Sequence, residues 1–379
     1  MKIPLTKPLF NLAEINAVKK VLASGWVTQG PITAKFERNL EKYINAKHVV
    51  VVSNCTNALH LCLLIGSVKP GDEVIVPSLT YIATISAIRY VGAVPVFADI
   101  DLKTFTLDPQ ATSNKITKKT KFILLVHQIG ISADLDPLRS IARKNNLILI
   151  EDAAPALGAT YKEKMVGQNG KFVAFSFHPR KSITTGEGGA IATEDDETYS
   201  RLKILRSHGS SISDYYRHKG KALNFEKFEV LGFNYRLSDI NAAIGIEQLK
   251  KLPGWIILRR RLAKNYQKEF KRMSNLIPPF EPNYTRHTFQ SYQIRVRGIS
   301  SERRDELIQR LLRKNIATRR GVMASHLEPL YIKYPSQDLI NTEIAYRESL
   351  LLPMYPDMTQ LEQEYVVDSV KKVFAQMHL

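Results

Sequence analysis

Residues 49–53 (VVVVS) form a short apolar, β-branched run, and the segment from Thr56 to Ile65 that follows carries apolar positions at helical spacing. This reads as strand, turn, helix. The pattern recurs along the first half of the chain. VIVPS at 74–78 precedes TYIATISAIRYVG, FILLV at 122–126 precedes a helix near 136–145, and LILIED at 147–152 follows that helix. Continuous apolar strands alternating with helices predict an α/β fold whose mostly parallel sheet is covered on both faces. Ligands of such sheets collect at the carboxyl ends of the strands. Three of those ends are polar here: Ser53-Asn54, Ser78 to Tyr81, and Glu151-Asp152.

From about Pro253 the character changes to a long, basic helical stretch. Pro278-Pro279 and Pro282 follow, then a strand-like QSYQIRVRG at 290–298. A helix near 301–314, a loop ending in LEPLY and a terminal helix near 359–377 complete the chain. The expected division is a large domain over 1–252, opening with an N-terminal arm, and a smaller C-terminal α+β domain over 253–379. A length of 379 residues suits such a pair. No internal repeat or low-complexity tract is present.

Composition narrows the function classes. An apolar share of 44% and a charged share of 24% are those of an ordinary soluble protein. No apolar run reaches the roughly 18 residues needed to cross a bilayer, and the segment MKIPLTKP lacks the pattern of a secretory signal; a cytoplasmic location is expected. Two cysteines, Cys55 and Cys62, are too few for a disulfide framework or a structural zinc site, so no metal is expected. The net charge of +18 favours anionic ligands. The basic residues are dispersed (Lys118-Lys119, Arg217 to Lys221, Arg259-Arg260-Arg261, Arg303-Arg304, Arg319-Arg320) and accompany no nucleic-acid-binding motif, so no specific nucleic acid is expected.

The chemistry concentrates in AFSFHPRKSITTGEGGA at 174–190, where Lys181 lies between an aromatic, proline-containing turn and a glycine-rich loop. A lone lysine is usually a solvated charge. The neighbouring motifs weigh against that for Lys181. Asp152 ends an apolar strand before Ala153 and Ala154, and a buried carboxylate there needs a cationic partner to offset its desolvation. A protonated pyridine nitrogen would serve and would make the ring an electron sink; a helix cap or a structural ion pair is the alternative. Asn54-Cys55-Thr56-Asn57 offers hydroxyls and backbone amides at a helix start, which suit a phosphate but also ordinary capping. Tyr81, just past a strand end, can stack on a flat ring or belong to the core.

Taken together these segments resemble the DegT/DnrJ/EryC1/StrS family of sugar aminotransferases, of the aspartate-aminotransferase fold (fold type I). The resemblance runs through SGWVTQGP (24–31), SNCTNALHL (53–61), VPSLTYIAT (76–84), EDAAPALGA (151–159), SFHPRKSITTGEGGA (176–190), LGFNYRLSDINAA (231–243) and HLEPLY (326–331). It implies that Lys181 holds pyridoxal 5'-phosphate as a Schiff base, that Asp152 pairs with the pyridine nitrogen and that Tyr81 stacks on the ring. Thr56, Asn57 and Ser176 match phosphate ligands, and Asn234 matches an asparagine that the neighbouring subunit contributes, which implies a homodimer with shared active sites. Thr28, Pro155, His326 and Tyr331 fall on the substrate side in the family; for His326 a buried, hydrogen-bonded structural role is an equal alternative.

Two departures stand out. Cys55 occupies a position that is usually glycine, and Pro155 one that usually carries a polar side chain. The implied reaction moves an amino group, by family precedent from glutamate, to a nucleotide-diphosphate keto-sugar. The alternatives are a pyridoxal-dependent sugar dehydratase or lyase, and a cofactor-binding regulator without catalysis. Family members acting as dehydratases replace the lysine with histidine, and Lys181 argues against that chemistry.

Overall fold

The computed structural model describes residues 1–211 and 226–379; the basic run Arg217 to Lys221 lies outside the described residues. A central seven-stranded sheet is built from β1 (His48–Val52), β2 (Glu73–Pro77), β3 (Val94–Ala98), β4 (Thr120–Val126), β5 (Ile148–Asp152), β8 (Val173–Ser176) and β9 (Gly189–Thr193), the short β6 (Thr160–Tyr161) and β7 (Lys164–Met165) forming a separate hairpin. The order is β1-β9-β8-β5-β4-β2-β3. The run from β8 through β5, β4 and β2 to β3 is parallel, and β9 is antiparallel to both its neighbours.

The continuous apolar runs have a direct cause. Alternate residues of each strand point to opposite faces, and both faces are buried. Val50, Val52, Val74, Leu124 and Ile150 enter one core with helices α3 (Cys55–Ile65) and α4 (Ile82–Tyr90). Val49, Val51, Val173 and Phe175 enter another, against α2 (Pro31–Ile44) and the first half of the helix Asp239–Phe270. Ile75, Ile123 and Leu125 continue that face.

The helix Asp239–Phe270 runs 32 residues and carries Pro253 within it. The expected division at residue 253 therefore falls inside a helix. Its Ala242, Ile246, Leu249, Leu252 and Ile256 pack on the large sheet, whereas Leu262, Ala263, Tyr266 and Phe270 pack in the core of the second unit. The proline interrupts the hydrogen-bond ladder without ending the helix, because apolar positions on both sides stay anchored. Ile3, near the amino terminus, also lies in the second core and bridges to Ile316. The second unit has a four-stranded sheet, ordered Leu276–Ile277, Tyr292–Val296, Ser349–Leu352 and Arg319–Arg320, covered by the helices Ser301–Arg313 and Gln360–Gln376. Among the described residues no helix is long and apolar enough to cross a membrane.

Candidate active site

Strands β1, β4, β5 and β8 end at one edge of the sheet, and antiparallel β9 begins there. A cavity of about 280 Å³ opens at this edge, lined by Asn54, Cys55 and Thr56, by Thr80, Tyr81 and Thr84, by Asp152 and Pro155, and by Ser176, His178, Arg180, Lys181 and Glu187. Positions from Asn54 to Glu187 meet because every parallel strand delivers its carboxyl end to the same side.

Asp152 terminates β5 and is 4% exposed. Its Oδ2 accepts from Thr84 Oγ1 at 2.8 Å and its Oδ1 from the Ala154 amide at 3.0 Å. Both donors are neutral, and no cation lies within ion-pair distance among the described residues. Burial raises its pKa above the usual carboxylate range, and the two hydrogen bonds and the Lys181 charge only partly offset that. A carboxylate so placed lacks a cationic partner that a pyridinium would provide.

Lys181 follows the turn His178-Pro179-Arg180, and its amide donates to the His178 carbonyl at 2.8 Å. Desolvation pulls its amine pKa below the ordinary lysine value, the Asp152 charge opposes that, and Arg180 adds to it. The glycine-rich loop beyond it folds on itself: Thr184 Oγ1 donates to the Phe177 carbonyl at 2.9 Å, and the Gly186 amide donates to Thr184 Oγ1 at 2.9 Å. At Gly189 the loop meets α3 so closely that a Cβ would lie 2.6–2.7 Å from the Asn54 carbonyl and the Cys55 nitrogen. Ser176, at the end of β8, is buried beside this contact.

Asn54 caps α3 by accepting from the Asn57 amide at 2.9 Å. This leaves the helix start, with Cys55 and Thr56, facing the cavity, where its amides suit an anion. Cys55 is half-buried, and desolvation pushes its thiol pKa well up, so it stays a neutral thiol. Tyr81 is 68% exposed at the start of α4, a large aromatic with an unoccupied face at the cavity. A phosphate at Thr56 and Ser176, a ring nitrogen at Asp152, an aromatic face and an amine of depressed pKa fit pyridoxal phosphate in one cavity.

The structure does not bring every expected residue there. Asn57 spends its side-chain amide on Ser53 Oγ at 2.8 Å. Thr28 is exposed, and its carbonyl accepts from the Asp239 amide at 3.1 Å. Asn234 is exposed and bridges to Ser207. Tyr331 is 1% exposed in the large core, its hydroxyl 3.2 Å from Ser86 Oγ. His326 is buried, its Nδ1 2.7 Å from Ser78 Oγ, and desolvation lowers its pKa. Its segment clasps the loop that presents Tyr81, since the Ser325 amide donates to the Ser78 carbonyl at 2.8 Å and Ser325 Oγ to the Thr80 carbonyl at 2.9 Å. Of the cavity residues, Thr84, His178, Arg180 and Glu187 were given no role from the sequence: each is a common residue type whose role depends on long-range proximity.

The fold and cavity define a fold type I pyridoxal-phosphate enzyme. The model of the DegT/DnrJ/EryC1/StrS aminotransferase family matches residues 10–371, and the chain belongs to that family, whose members are pyridoxal-phosphate-dependent sugar aminotransferases. It is 36% identical over 374 residues to GDP-perosamine synthase of Caulobacter vibrioides, covering 98% of each chain. It is 35% identical over 379 residues to the spore coat polysaccharide biosynthesis protein SpsC of Bacillus subtilis, covering 98% of this chain and 97% of that one. DesV of S. venezuelae, solved in complex with a ketimine intermediate, superposes with a TM-score of 0.89 at 32% identity, covering 98% of both chains.

Proposed function

We propose that this chain transfers the amino group of glutamate to a keto-sugar carried on a nucleoside diphosphate, as a cytoplasmic homodimer. The observation that carries the reading is Asp152, a buried carboxylate with neutral donors only, on the same cavity as the Lys181 amine. The relatives named for GDP-perosamine synthesis and spore coat polysaccharide point to a sugar as acceptor, and a charge of +18 suits a diphosphate.

Pyridoxal phosphate, when bound, supplies an aldehyde that condenses with amines and a ring that delocalises the electron pair left at the donor's α-carbon. Asp152 would keep that ring's nitrogen protonated through its negative charge. Lys181 would hold the cofactor covalently, and its Nζ would be the base that moves the proton, desolvation having lowered its pKa below the ordinary lysine value. Tyr81 would cover one face of the ring. Thr56 and Ser176 would take the phosphate with the amides at the start of α3. Asn234, exposed and outside its own cavity, would serve the partner's.

The test is incubation of the pure holoenzyme with glutamate and a panel of nucleoside-diphosphate keto-sugars. Formation of 2-oxoglutarate in step with an aminated sugar is the expected result. Release of ammonia or water without 2-oxoglutarate would defeat the reading in favour of a lyase. Borohydride reduction and peptide mapping check the attachment site; a label anywhere but Lys181 removes its assigned role.

A further inference from the structure

We propose that Arg180 is the anion-recognition residue of this cavity, its guanidinium taking paired carboxylate or phosphate oxygens of the incoming substrate. The inference rests on the aminotransferase reading above and names the group that reads the substrate's charge. Both substrates of that reaction are anions.

Five charged or basic side chains line the cavity: Asp152, His178, Arg180, Lys181 and Glu187. Lys181 is committed to the cofactor. Desolvation favours the neutral form of His178. Arg180 is thus the one permanent cation left for a substrate among the described lining residues. Its guanidinium makes no hydrogen bond or ion pair with any described residue, although Glu187 lies on the same cavity. Elsewhere Arg139, Arg206, Arg260, Arg295 and Arg320 each meet a carboxylate. The root of Arg180 is nevertheless fixed. Its amide donates to His178 Nδ1 at 3.2 Å, and its carbonyl accepts from Gln290 Nε2 of the second unit at 2.5 Å. A pinned backbone with a free, exposed fork suits bidentate capture of a carboxylate or a diphosphate. The charge also acts on Lys181, whose pKa it helps to lower, so an anion bound at Arg180 is felt where the proton moves.

The experiment compares wild-type, Arg180→Gln and Arg180→Lys holoenzymes. Cofactor loading is read by absorbance, the glutamate half-reaction by single-turnover rates against glutamate concentration, and phosphate recognition by competition with inorganic pyrophosphate. The expected result is unchanged loading, with the glutamate or the pyrophosphate constant, or both, weakened about tenfold to a hundredfold in Arg180→Gln and partly recovered in Arg180→Lys. A loss confined to glutamate assigns the amino donor's carboxylate; one confined to pyrophosphate assigns the nucleotide's diphosphate. Constants within twofold of wild type in both arms overturn the proposal, and so does loss of loading, which would tie Arg180 to the cofactor. A wild-type enzyme that loads but does not react with glutamate refutes the proposed donor instead, and the pyrophosphate arm then decides Arg180.

Discussion

Thr84 Oγ1 donates to Asp152 Oδ2 at 2.8 Å, and the same hydroxyl lies 2.8 Å from Thr80 Oγ1. Since Thr80 also offers its carbonyl to Ser325 Oγ, Thr80 links the Ser325 segment to the carboxylate that would hold the pyridinium. Thr84→Val removes the donor while keeping the shape. Loss of a hydrogen bond to a buried charge costs about 1.5–3 kcal/mol, so the glutamate half-reaction should slow by roughly ten- to a hundredfold with Lys181 still labelled by borohydride. Single-turnover absorbance measures this, and an unchanged rate would show that Asp152 is oriented by its strand alone.

Asp152→Asn separates stability from chemistry. Burial raises the folded-state pKa of this carboxylate, so its contribution to folding is fully present below the unfolded value, about 3.9, and is lost as pH rises through the folded value. At pH 7 without cofactor, the buried carboxyl group therefore costs stability. The neutral amide keeps the Ala154 contact and removes that cost. The cofactor-free variant should melt above cofactor-free wild type, where about 1 kcal/mol corresponds to roughly 2 °C in a large domain, yet transaminate at least about a hundredfold more slowly. A variant that melts lower would show that Asp152 is paid back by a partner within the protein.

One residue earlier the sign reverses. Glu151 is buried, and although desolvation raises its pKa, His127 Nε2 at 3.0 Å and Arg139 at 3.2 Å outweigh that and hold it below the usual value. Its contribution is present above the unfolded pKa near 4.3 and is lost as pH falls through the lower folded value. Glu151→Gln should cost about 1–2 kcal/mol at pH 7, with the gap to wild type closing below about pH 4. Urea unfolding at several pH values tests it, and a gap independent of pH would place the effect in packing.

These examples show what the sequence could express. The strands of the large sheet were legible because both faces are buried, so β1, β2, β4 and β5 read as unbroken apolar runs. Asp152 and Lys181 were legible because each stands out against its own segment. Thr84, Glu187 and Arg180 were not, since nothing local marks them and only the meeting of strand ends brings them together. The helical stretch after Pro253 was legible but its continuation back to Asp239 was not, for a related reason: proline signals a break locally, and the apolar anchors on either side overrule it. Tyr331 shows the converse, a residue in a recognisable motif that folding buries against Ser86.

Gly189 is where the glycine-rich loop acts through space. A Cβ there would lie 2.6–2.7 Å from the backbone of Asn54 and Cys55, and backbone cannot move aside as a flexible side chain can. Gly189→Ala must therefore push β9 and the start of α3 apart, on the amides and hydroxyl that would bind the phosphate. Overpacking of this kind costs about 1–3 kcal/mol, and the cost should appear as weaker cofactor binding, a Kd raised roughly five- to a hundredfold, because the strained contact borders the cavity. Titration of the cofactor-free protein with pyridoxal phosphate gives the constant, and thermal melting gives the stability. A variant that binds the cofactor normally but melts lower would show that the close approach serves the sheet and not the phosphate site.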